Sequence, residues 1–197
     1  MEKGKAYANR KSMEDRPKGD FYPTPKSLVW VAKELFLEEL DGDKIVFDPC
    51  CGNGAISRAL MDWGLSIKEN DLFMGGVDYL ETSFEYPQIV SNPPFSLWDQ
   101  FVTKAKQEAE KVIFIGRMNY FGTYSRLKNG LWENLKGVYC FDRYVDYRTP
   151  ERDDGLFHVG AMATAWFVWE RGYNQKATID FLSVQDYARL GNKRVDE

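Results

Sequence analysis

The sequence of 197 residues has little of the two residue types that most often bind transition metals, with one histidine, His158, and three cysteines. Two of the cysteines, Cys50 and Cys51, are adjacent, which is neither a disulfide framework nor a CxxC metal pattern. We therefore expect no metal site. A reaction that needs a histidine base is also hard to build, because His158 lies far from any serine or cysteine motif.

Long apolar runs are also missing. No stretch approaches the roughly 18 residues that a membrane-spanning helix needs, and the first residues lack the apolar core of a signal peptide. Hydrophobic residues make up 44% of the chain and charged residues 28%, which is typical of a globular domain. We expect a cytoplasmic protein that does not associate with membranes.

The net charge of −4 argues mildly against nonspecific binding of nucleic acid by the whole surface. The charge is unevenly distributed, however. Lys and Arg are in excess over residues 1–26 and 112–152, whereas Asp and Glu are in excess over 33–111. A phosphate backbone could contact the basic segments, although a solvated surface of mixed charge is the simpler explanation of each segment alone.

Strands alternate with helices through the first two thirds of the chain, which predicts an α/β fold with a mainly parallel sheet. Ligands of such sheets bind at the carboxyl ends of the strands. We expect one domain over 21–180, preceded by a flexible arm (1–20) and followed by a tail (181–197), with 117–160 as a segment that could contact nucleic acid.

Three local predictions concern helices. Thr24 is placed to cap a helix that begins at Pro25, where the missing amide costs nothing. Ser96 is placed to cap a helix over "SLWDQFVTKAKQEAEK". The segment "DFLSVQDYARL" is interpreted as a marginal final helix or a tail.

The stretch "VFDPCCGNGA" predicts a strand, a tight turn and the start of a helix. Gly52 and Gly54 would let the backbone pass close to a ligand, and the free amides of the turn and helix would bind its polar end. Asp48 is expected to point into this site. A carboxylate there would repel phosphates, and it suits a ligand that carries an ammonium group.

Two further acids follow this turn. Asp71 ends the next predicted strand roughly twenty residues later, where an acid typically binds the hydroxyls of a ribose. Asp78, in "VDYL", could accept a hydrogen bond from the exocyclic amine of an adenine. Each acid alone is more often a solvated loop residue. Together with the glycine turn they indicate a pocket for an adenosine that carries an amino acid, which is S-adenosylmethionine.

At these residues the sequence resembles a known family. "DPCCGNG" resembles the cofactor-binding motif, and "NPPF" the catalytic motif, of the S-adenosylmethionine-dependent amino-methyltransferases that modify N6 of adenine or N4 of cytosine. "FYPTP" resembles the element that completes the methionine end of the pocket. The short chain, "NDLF…DYL" and "AWFVWERGY" are similar to small, often phage-encoded DNA adenine methyltransferases, over about residues 20–173.

The resemblance implies the class I methyltransferase type of fold, a Rossmann-like, doubly wound, mainly parallel sheet of seven strands. It implies that the protein is located in the cytoplasm of a host cell if it is phage-encoded. It also implies a set of residues that bind the cofactor, which are Tyr22, Thr24, Pro25, Asp48, Pro49, Cys50, Gly52, Gly54, Asp71, Asp78 and Asn92.

The motif over 92–95 has a physical explanation in this chemistry. An adenine amine is a poor nucleophile because its lone pair is delocalised into the ring. If Asn92 Oδ1 and the Pro93 carbonyl each accept one N–H, the lone pair is freed to face the methyl group. Pro93 and Pro94 stiffen the backbone around those carbonyls. Phe95 is expected to stack on the extruded base.

The substrate is less well specified than the chemistry. DNA adenine is the preferred substrate, but RNA adenines and the glutamine side chains of translation factors pose the same problem of a delocalised lone pair. A catalytically silent protein that binds DNA or another partner is an alternative of a different class. Target sequence and oligomeric state are not specified by these residues.

Basic and aromatic residues alternate in the second half of the chain. Such residues could grip phosphates and splayed bases, and they could equally be aromatic core residues with basic neighbours in solvent. The candidate nucleic-acid contacts are Arg117, Tyr120, Arg126, Arg143 and Arg148.

Overall fold

The computed structural model describes residues 22–149, 152 and 157–185. The expected flexible arm (1–20) lies outside these residues, as do residues 186–197 of the expected tail. No helix within the described ranges is both long enough and apolar enough to cross a membrane.

A single sheet of seven strands forms the centre of the protein. The strands are β1 (Val46–Asp48), β2 (Ile67–Glu69), β3 (Gln88–Ser91), β4 (Lys111–Arg117), β5 (Leu135–Phe141), β6 (Thr164–Glu170) and β7 (Thr178–Leu182). Their order across the sheet is β2-β1-β3-β4-β6-β5-β7. Only the pairings of β6 with β4 and β5 are antiparallel, so β6 alone is reversed. The prediction of a mainly parallel, seven-stranded sheet is confirmed.

Helices cover both faces of this sheet. They are α1 (Lys26–Trp30), α2 (Lys33–Glu39), α3 (Ala55–Asp62), α4 (Trp98–Glu108) and α5 (Tyr124–Lys128), with short 3-10 helices at Leu72–Met74 and Met118–Gly122. Helices α1 to α3 pack in one apolar cluster and α4 in the other. The chain therefore winds in opposite directions on the two sides of the sheet, as in other doubly wound folds.

The central strand β4 shows why the sheet is buried on both faces. Ile113 and Ile115 belong to the cluster of α1 to α3, whereas Val112 and Phe114 belong to the cluster of α4. A strand buried on both faces has a continuous apolar sequence. Gly116 ends this run because a Cβ there would lie 2.6 Å from the Trp98 ring.

The order of the strands reverses between β1 and β3. From β1 the chain passes through α3 to the edge strand β2, and from β3 it passes through α4 to β4 on the other side. The carboxyl ends of β1 and β3 therefore lie side by side and open a crevice, which is where open α/β sheets bind ligands. The "DPCCGNG" and "NPPF" segments both begin at this point.

Both predictions of helix caps are wrong. Pro25 is the N-cap of α1 and no side chain caps that helix, because the hydroxyl of Thr24 bonds to Asn92 instead. Helix α4 begins at Trp98, and its N-cap, Leu97, has no capping side chain, so Ser96 lies outside it.

Two other elements also differ from the sequence-based expectation. The predicted first helix is divided, because α1 ends at Trp30 and α2 begins at Lys33. The described part of the C-terminal segment includes strand β7 up to Leu182, where a helix or tail was expected, and helical backbone is present only at Val184 and Gln185. Strand β7 pairs in parallel with β5 at the edge of the sheet. Such pairing depends on a partner strand that is distant in sequence and not on local periodicity.

Candidate functional site

The turn after β1 has the backbone that its glycines predict. Gly52 and Gly54 have φ of 51° and 73°, a left-handed region that residues with a Cβ rarely adopt. The amide of Gly52 donates to Asp71 Oδ2 at 2.9 Å. The turn is therefore held directly to the segment that follows β2.

Asp71 is buried at the edge of the crevice, and both of its carboxylate oxygens accept from backbone amides. Oδ2 accepts from Gly52, and Oδ1 accepts from the amide of Phe73 at 2.9 Å. Each carboxylate oxygen has a second lone pair, so the group can still accept from a ligand hydroxyl. Asp71 thus shapes the turn in addition to lining the site.

A cavity of about 360 Å³ opens beside this turn. This volume lies in the range of small-molecule sites, which are mostly apolar with a few polar groups that orient the ligand. Asp71 and Asp78 are its charged residues. The lining consists of Pro49, Cys50, Asp71, Leu72, Phe73, Val77, Asp78, Tyr79, Pro94, Ser96, Leu97 and Phe101.

Some of the predicted site residues line this cavity and others do not. Pro49, Cys50, Asp71, Asp78 and Pro94 do. The other predicted cofactor and catalytic residues lie outside its lining, and they are Tyr22, Thr24, Pro25, Asp48, Gly52, Gly54, Asn92, Pro93 and Phe95.

Sequence reasoning missed the apolar wall of the cavity. Leu72 and Phe73 follow Asp71 directly, and Val77 and Tyr79 flank Asp78. These positions could have been found as the neighbours of the two acids. Leu97 and Phe101, one helical turn apart at the start of α4, could have been found only with the position of that helix.

Asp48 does not point into an open site as expected. Its side chain is 1% exposed, and its carboxylate accepts from the hydroxyl of Ser91 at 2.6 Å and from the amide of Cys50 at 3.3 Å. Burial raises the pKa of Asp48 to about 7, although the hydrogen bonds from Ser91 and Cys50 oppose this rise. Asp48 thus anchors the turn to β3.

Cys50 belongs to the same polar cluster. Its thiol sulfur lies 2.9 Å from the hydroxyl oxygen of Ser91. Burial raises the pKa of the Cys50 thiol well above its ordinary value, and the neighbouring Asp48 adds to this effect. A thiol that stays protonated is a weak nucleophile, so Cys50 is suited to packing and not to covalent chemistry.

Asn92 follows β3, and its two amide ends have different environments. Nδ2 donates to the carbonyl oxygen of Tyr22 and to Oγ1 of Thr24, each at 3.1 Å. Oδ1 is buried and has no hydrogen-bond partner among the residues that the structure describes. A buried acceptor without a partner is costly, so this oxygen is a candidate binding position for a donor.

Phe95 lies in a small aromatic cluster. Its ring stacks on Tyr22, with centroids 5.4 Å apart and planes at 29°, and meets the ring of Tyr147 edge-on at 5.6 Å. The hydroxyl of Tyr120 donates to the carbonyl oxygen of Phe95 at 3.1 Å. Three separate segments of the chain therefore hold the end of the "NPPF" loop.

Two of the candidate nucleic-acid contacts have roles within the fold. Tyr120 is only 6% exposed. Arg126 pairs with Asp99 at 2.7 Å, and its guanidinium lies 4.2 Å from the centre of the Tyr120 ring. By contrast, Arg148 is exposed, and Arg117 and Arg143 are half-buried.

Over the described ranges, no group of three or more His, Cys, Asp and Glu side chains is arranged to hold a metal ion. The acids of the crevice instead bond to backbone amides and hydroxyls, as the contacts of Asp48 and Asp71 illustrate.

Comparison with known proteins identifies the fold. No protein-family profile and no curated protein matches the sequence. A structure from Listeria monocytogenes, assigned as a class I S-adenosylmethionine-dependent methyltransferase, is similar with a TM-score of 0.62 and 12% identity. The match covers 93% of this chain and 73% of that one.

Two further structures are similar at comparable identity. One, from Pyrococcus horikoshii, is assigned as an RNA methyltransferase, with a TM-score of 0.56, 17% identity and coverage of 79% of this chain and 91% of that one. The other, from Vibrio vulnificus YJ016, is assigned as a modification subunit of a type I restriction enzyme, with a TM-score of 0.53 and 14% identity. That match covers 83% of this chain and 47% of the subunit. The protein thus has the Rossmann-like α/β fold of the class I methyltransferases.

Proposed function

We propose that the protein transfers a methyl group from S-adenosylmethionine to the exocyclic N6 amine of adenine in DNA, as a small enzyme of the phage type. The observation that carries this proposal is the buried Oδ1 of Asn92 at the carboxyl end of β3, which has no partner among the described residues. It provides an acceptor for an N–H group that none of those residues supplies. The two prolines that follow suit a site in which acceptor directions must be rigid.

The residues of the loop have separate tasks in this proposal. Asn92 Oδ1 and the carbonyl of Pro93 accept the two N–H groups of the amine, which withdraws its lone pair from the ring. The carbonyl of Pro94 is already bonded to the amide of Leu97 at 3.0 Å and therefore anchors the loop to α4. Phe95 provides an aromatic surface for a planar base.

The cavity fits the adenosine part of the cofactor. Its apolar wall, with Leu72, Phe73 and Val77, suits a flat heteroaromatic ring, and Asp71 and Asp78 offer acceptors for ribose hydroxyls and the adenine amine. Tyr22, Thr24 and Pro25 are proposed for the methionine end from their motif. When bound, the cofactor would supply an electrophilic methyl group on a sulfonium sulfur.

DNA is proposed as the substrate from the resemblance of the "DPCCGNG" and "NPPF" pair to DNA amino-methyltransferases. The placement of the second half of the chain supports a nucleic acid. Tyr120 and Tyr147 contact the Phe95 segment, and exposed residues close to them in sequence include Tyr124, Tyr144 and Arg148. Exposed aromatic and basic side chains therefore lie within a few residues of the two tyrosines that contact this loop.

The test offers cofactor carrying a tritiated methyl group to duplex DNA, tRNA, ribosomal RNA and a release factor, followed by mass spectrometry of the nucleosides. We expect label in DNA, recovered as N6-methyladenine. Label found only in RNA or only in protein would show that the substrate is not DNA, while the proposed chemistry of methyl transfer would still hold. An enzyme that binds no cofactor in calorimetry would overturn the proposal and favour a silent binding protein.

A matched pair of variants controls this test. Asn92→Ala removes the proposed acceptor, and we expect loss of label in a protein that still binds the cofactor. Asn174→Ala makes the same chemical change at an exposed position between β6 and β7. It should transfer label as the unmodified protein does.

A further inference from the structure

The two ends of an asparagine amide have nearly the same shape and differ mainly in hydrogen bonding. The Tyr22 carbonyl can only accept, so it must face the NH2 end of Asn92. The Thr24 hydroxyl accepts the second proton of that NH2 group. With both protons engaged, Oδ1 is the end that remains for a substrate.

We propose that Thr24 is a positioning residue for methyl transfer, an inference that rests on the proposed function. The Tyr22 carbonyl selects Oδ1 as the end of the Asn92 amide that faces the amine, and the Thr24 hydroxyl holds the plane of that amide so that Oδ1 is correctly directed. The opposite orientation would set a donor against the substrate's donors and would place Oδ1 against the Tyr22 carbonyl, which can only accept. That arrangement would oppose the chemistry and leave buried groups unpaired.

The local structure gives the Thr24 hydroxyl a defined position. Thr24 precedes Pro25, and a residue before proline is restricted to extended conformations. Pro25 is buried and leads into α1, whose residues Leu28 and Val29 are fully buried. The carbonyl of Leu28 also accepts from Trp166 Nε1 at 3.0 Å. The segment that orients Asn92 is therefore attached to the core.

The first arm of the test measures turnover. Thr24→Val replaces the hydroxyl with a methyl group of similar size, and we expect kcat to fall about tenfold, as for one lost hydrogen bond. The KM for DNA should not change, and kcat is compared at saturating cofactor because Thr24 is also assigned to the methionine end of the pocket. Thr24→Ser, which keeps the hydroxyl, should restore most of kcat. Thr103→Val is the matched control, because the hydroxyl of Thr103 donates to the carbonyl of Asp99 on the exposed face of α4.

A double mutant separates positioning from general support of the loop. A carboxylate at position 92 presents an oxygen in either orientation, so Thr24→Val should have much less effect when combined with Asn92→Asp. An equal effect in both backgrounds would indicate a merely structural role and would overturn the inference. Wild-type kcat in Thr24→Val alone would also overturn it.

The second arm does not depend on activity. The side-chain amide resonances of Asn92 are assigned by their absence from the NMR spectrum of Asn92→Asp. We expect Thr24→Val to shift one of the two amide protons upfield, because it loses its acceptor, and Thr103→Val to leave both unchanged. Unchanged resonances in Thr24→Val would overturn the inference. If the wild-type protein methylates no acceptor, the proposed function fails. The NMR experiment still shows whether Thr24 accepts a hydrogen bond from Asn92.

Discussion

The hydroxyl of Ser91 donates to the carboxylate of Asp48 at 2.6 Å and so joins the ends of β3 and β1. Asp48 begins the glycine turn, and Ser91 directly precedes Asn92. The two segments to which we assign cofactor binding and catalysis therefore share a buried polar anchor at the point where the strand order reverses.

Asp48 should make stability depend on pH. Burial raises its pKa from 3.8 to about 7, so the folded state favours the protonated form. The stabilisation that this preference provides is complete at a pH below the pKa of Asp48 in the unfolded chain. It is lost as the pH rises through the pKa of Asp48 in the folded protein. We expect the free energy of unfolding of the wild type, relative to Asp48→Asn, to decrease between about pH 4 and pH 7, by at most about 1.4 kcal/mol per pH unit.

Urea unfolding of both proteins across this range measures the effect. Asp48→Asn keeps an oxygen acceptor for Ser91 and removes the titration, so it is a matched control. Parallel curves for the two proteins would show that Asp48 does not titrate with a raised pKa.

A bulky side chain in the cavity should block the cofactor. Val77 lines the cavity and is half exposed, so Val77→Trp can place an indole there without disturbing the core. We expect the affinity for S-adenosylmethionine, measured by calorimetry, to fall by more than about tenfold, because the added ring competes for the same space. Leu37→Trp, at an exposed position of α2, should bind as the wild type does. Unchanged affinity in Val77→Trp would place the cofactor elsewhere.

Arg126 and Arg148 should differ in their roles. Arg126 pairs with Asp99 and lies on the Tyr120 ring, so Arg126→Ala should lower the free energy of unfolding by about 1 kcal/mol. Arg148 is exposed, so Arg148→Ala should leave stability nearly unchanged. It should instead weaken DNA binding and reduce the salt dependence of the affinity by about one counterion. Thermal unfolding measures the stability of each variant, and fluorescence anisotropy at several salt concentrations measures its affinity for DNA. A loss of stability in Arg148→Ala, with a loss of DNA binding alone in Arg126→Ala, would contradict this assignment.

Glu39 should stabilise the opposite end of the sheet. Its side chain is 8% exposed and accepts from Lys111 at 2.5 Å and from Lys136 at 2.8 Å. Glu39→Ala leaves Glu170 as the carboxylate partner of both lysines in this partly exposed network, and we expect a loss of about 1 kcal/mol in urea unfolding. Glu34→Ala, exposed on the same helix, should have little effect.

Activity provides a second readout for this pair of variants. Lys111 is at the amino end of β4, whereas the crevice is at the carboxyl ends of the strands. Both variants should therefore retain kcat at temperatures where they are folded. A selective loss of kcat in Glu39→Ala would show that the network is coupled to the site.

The fold and the local backbone of the two motif segments could be predicted because their signals are local. The continuous apolar run of β4 indicates a strand buried on both faces, and the glycines of the turn adopt the left-handed backbone for which glycine is suited. The position of "NPPF" directly after a strand could also be read from the amino acids alone. These features depend on side-chain period and on backbone sterics within a few residues.

The partners of the polar groups could not be predicted in the same way. Thr24 matched the local pattern of a helix cap, yet its hydroxyl bonds to Asn92, 68 positions away. Asp48 was expected in an open site and is buried against Ser91, and Arg126, a candidate for phosphate contact, pairs with Asp99.

The amino-acid order therefore determined the strands, the glycine turn and the types of residue at the crevice, because those follow from hydrophobic period and turn chemistry. Only the packed sheet decided which acceptor stays free, which acid is buried and which arginine is exposed. Those outcomes depend on contacts between residues far apart in the chain, and the strand order that brings them together has no local signal.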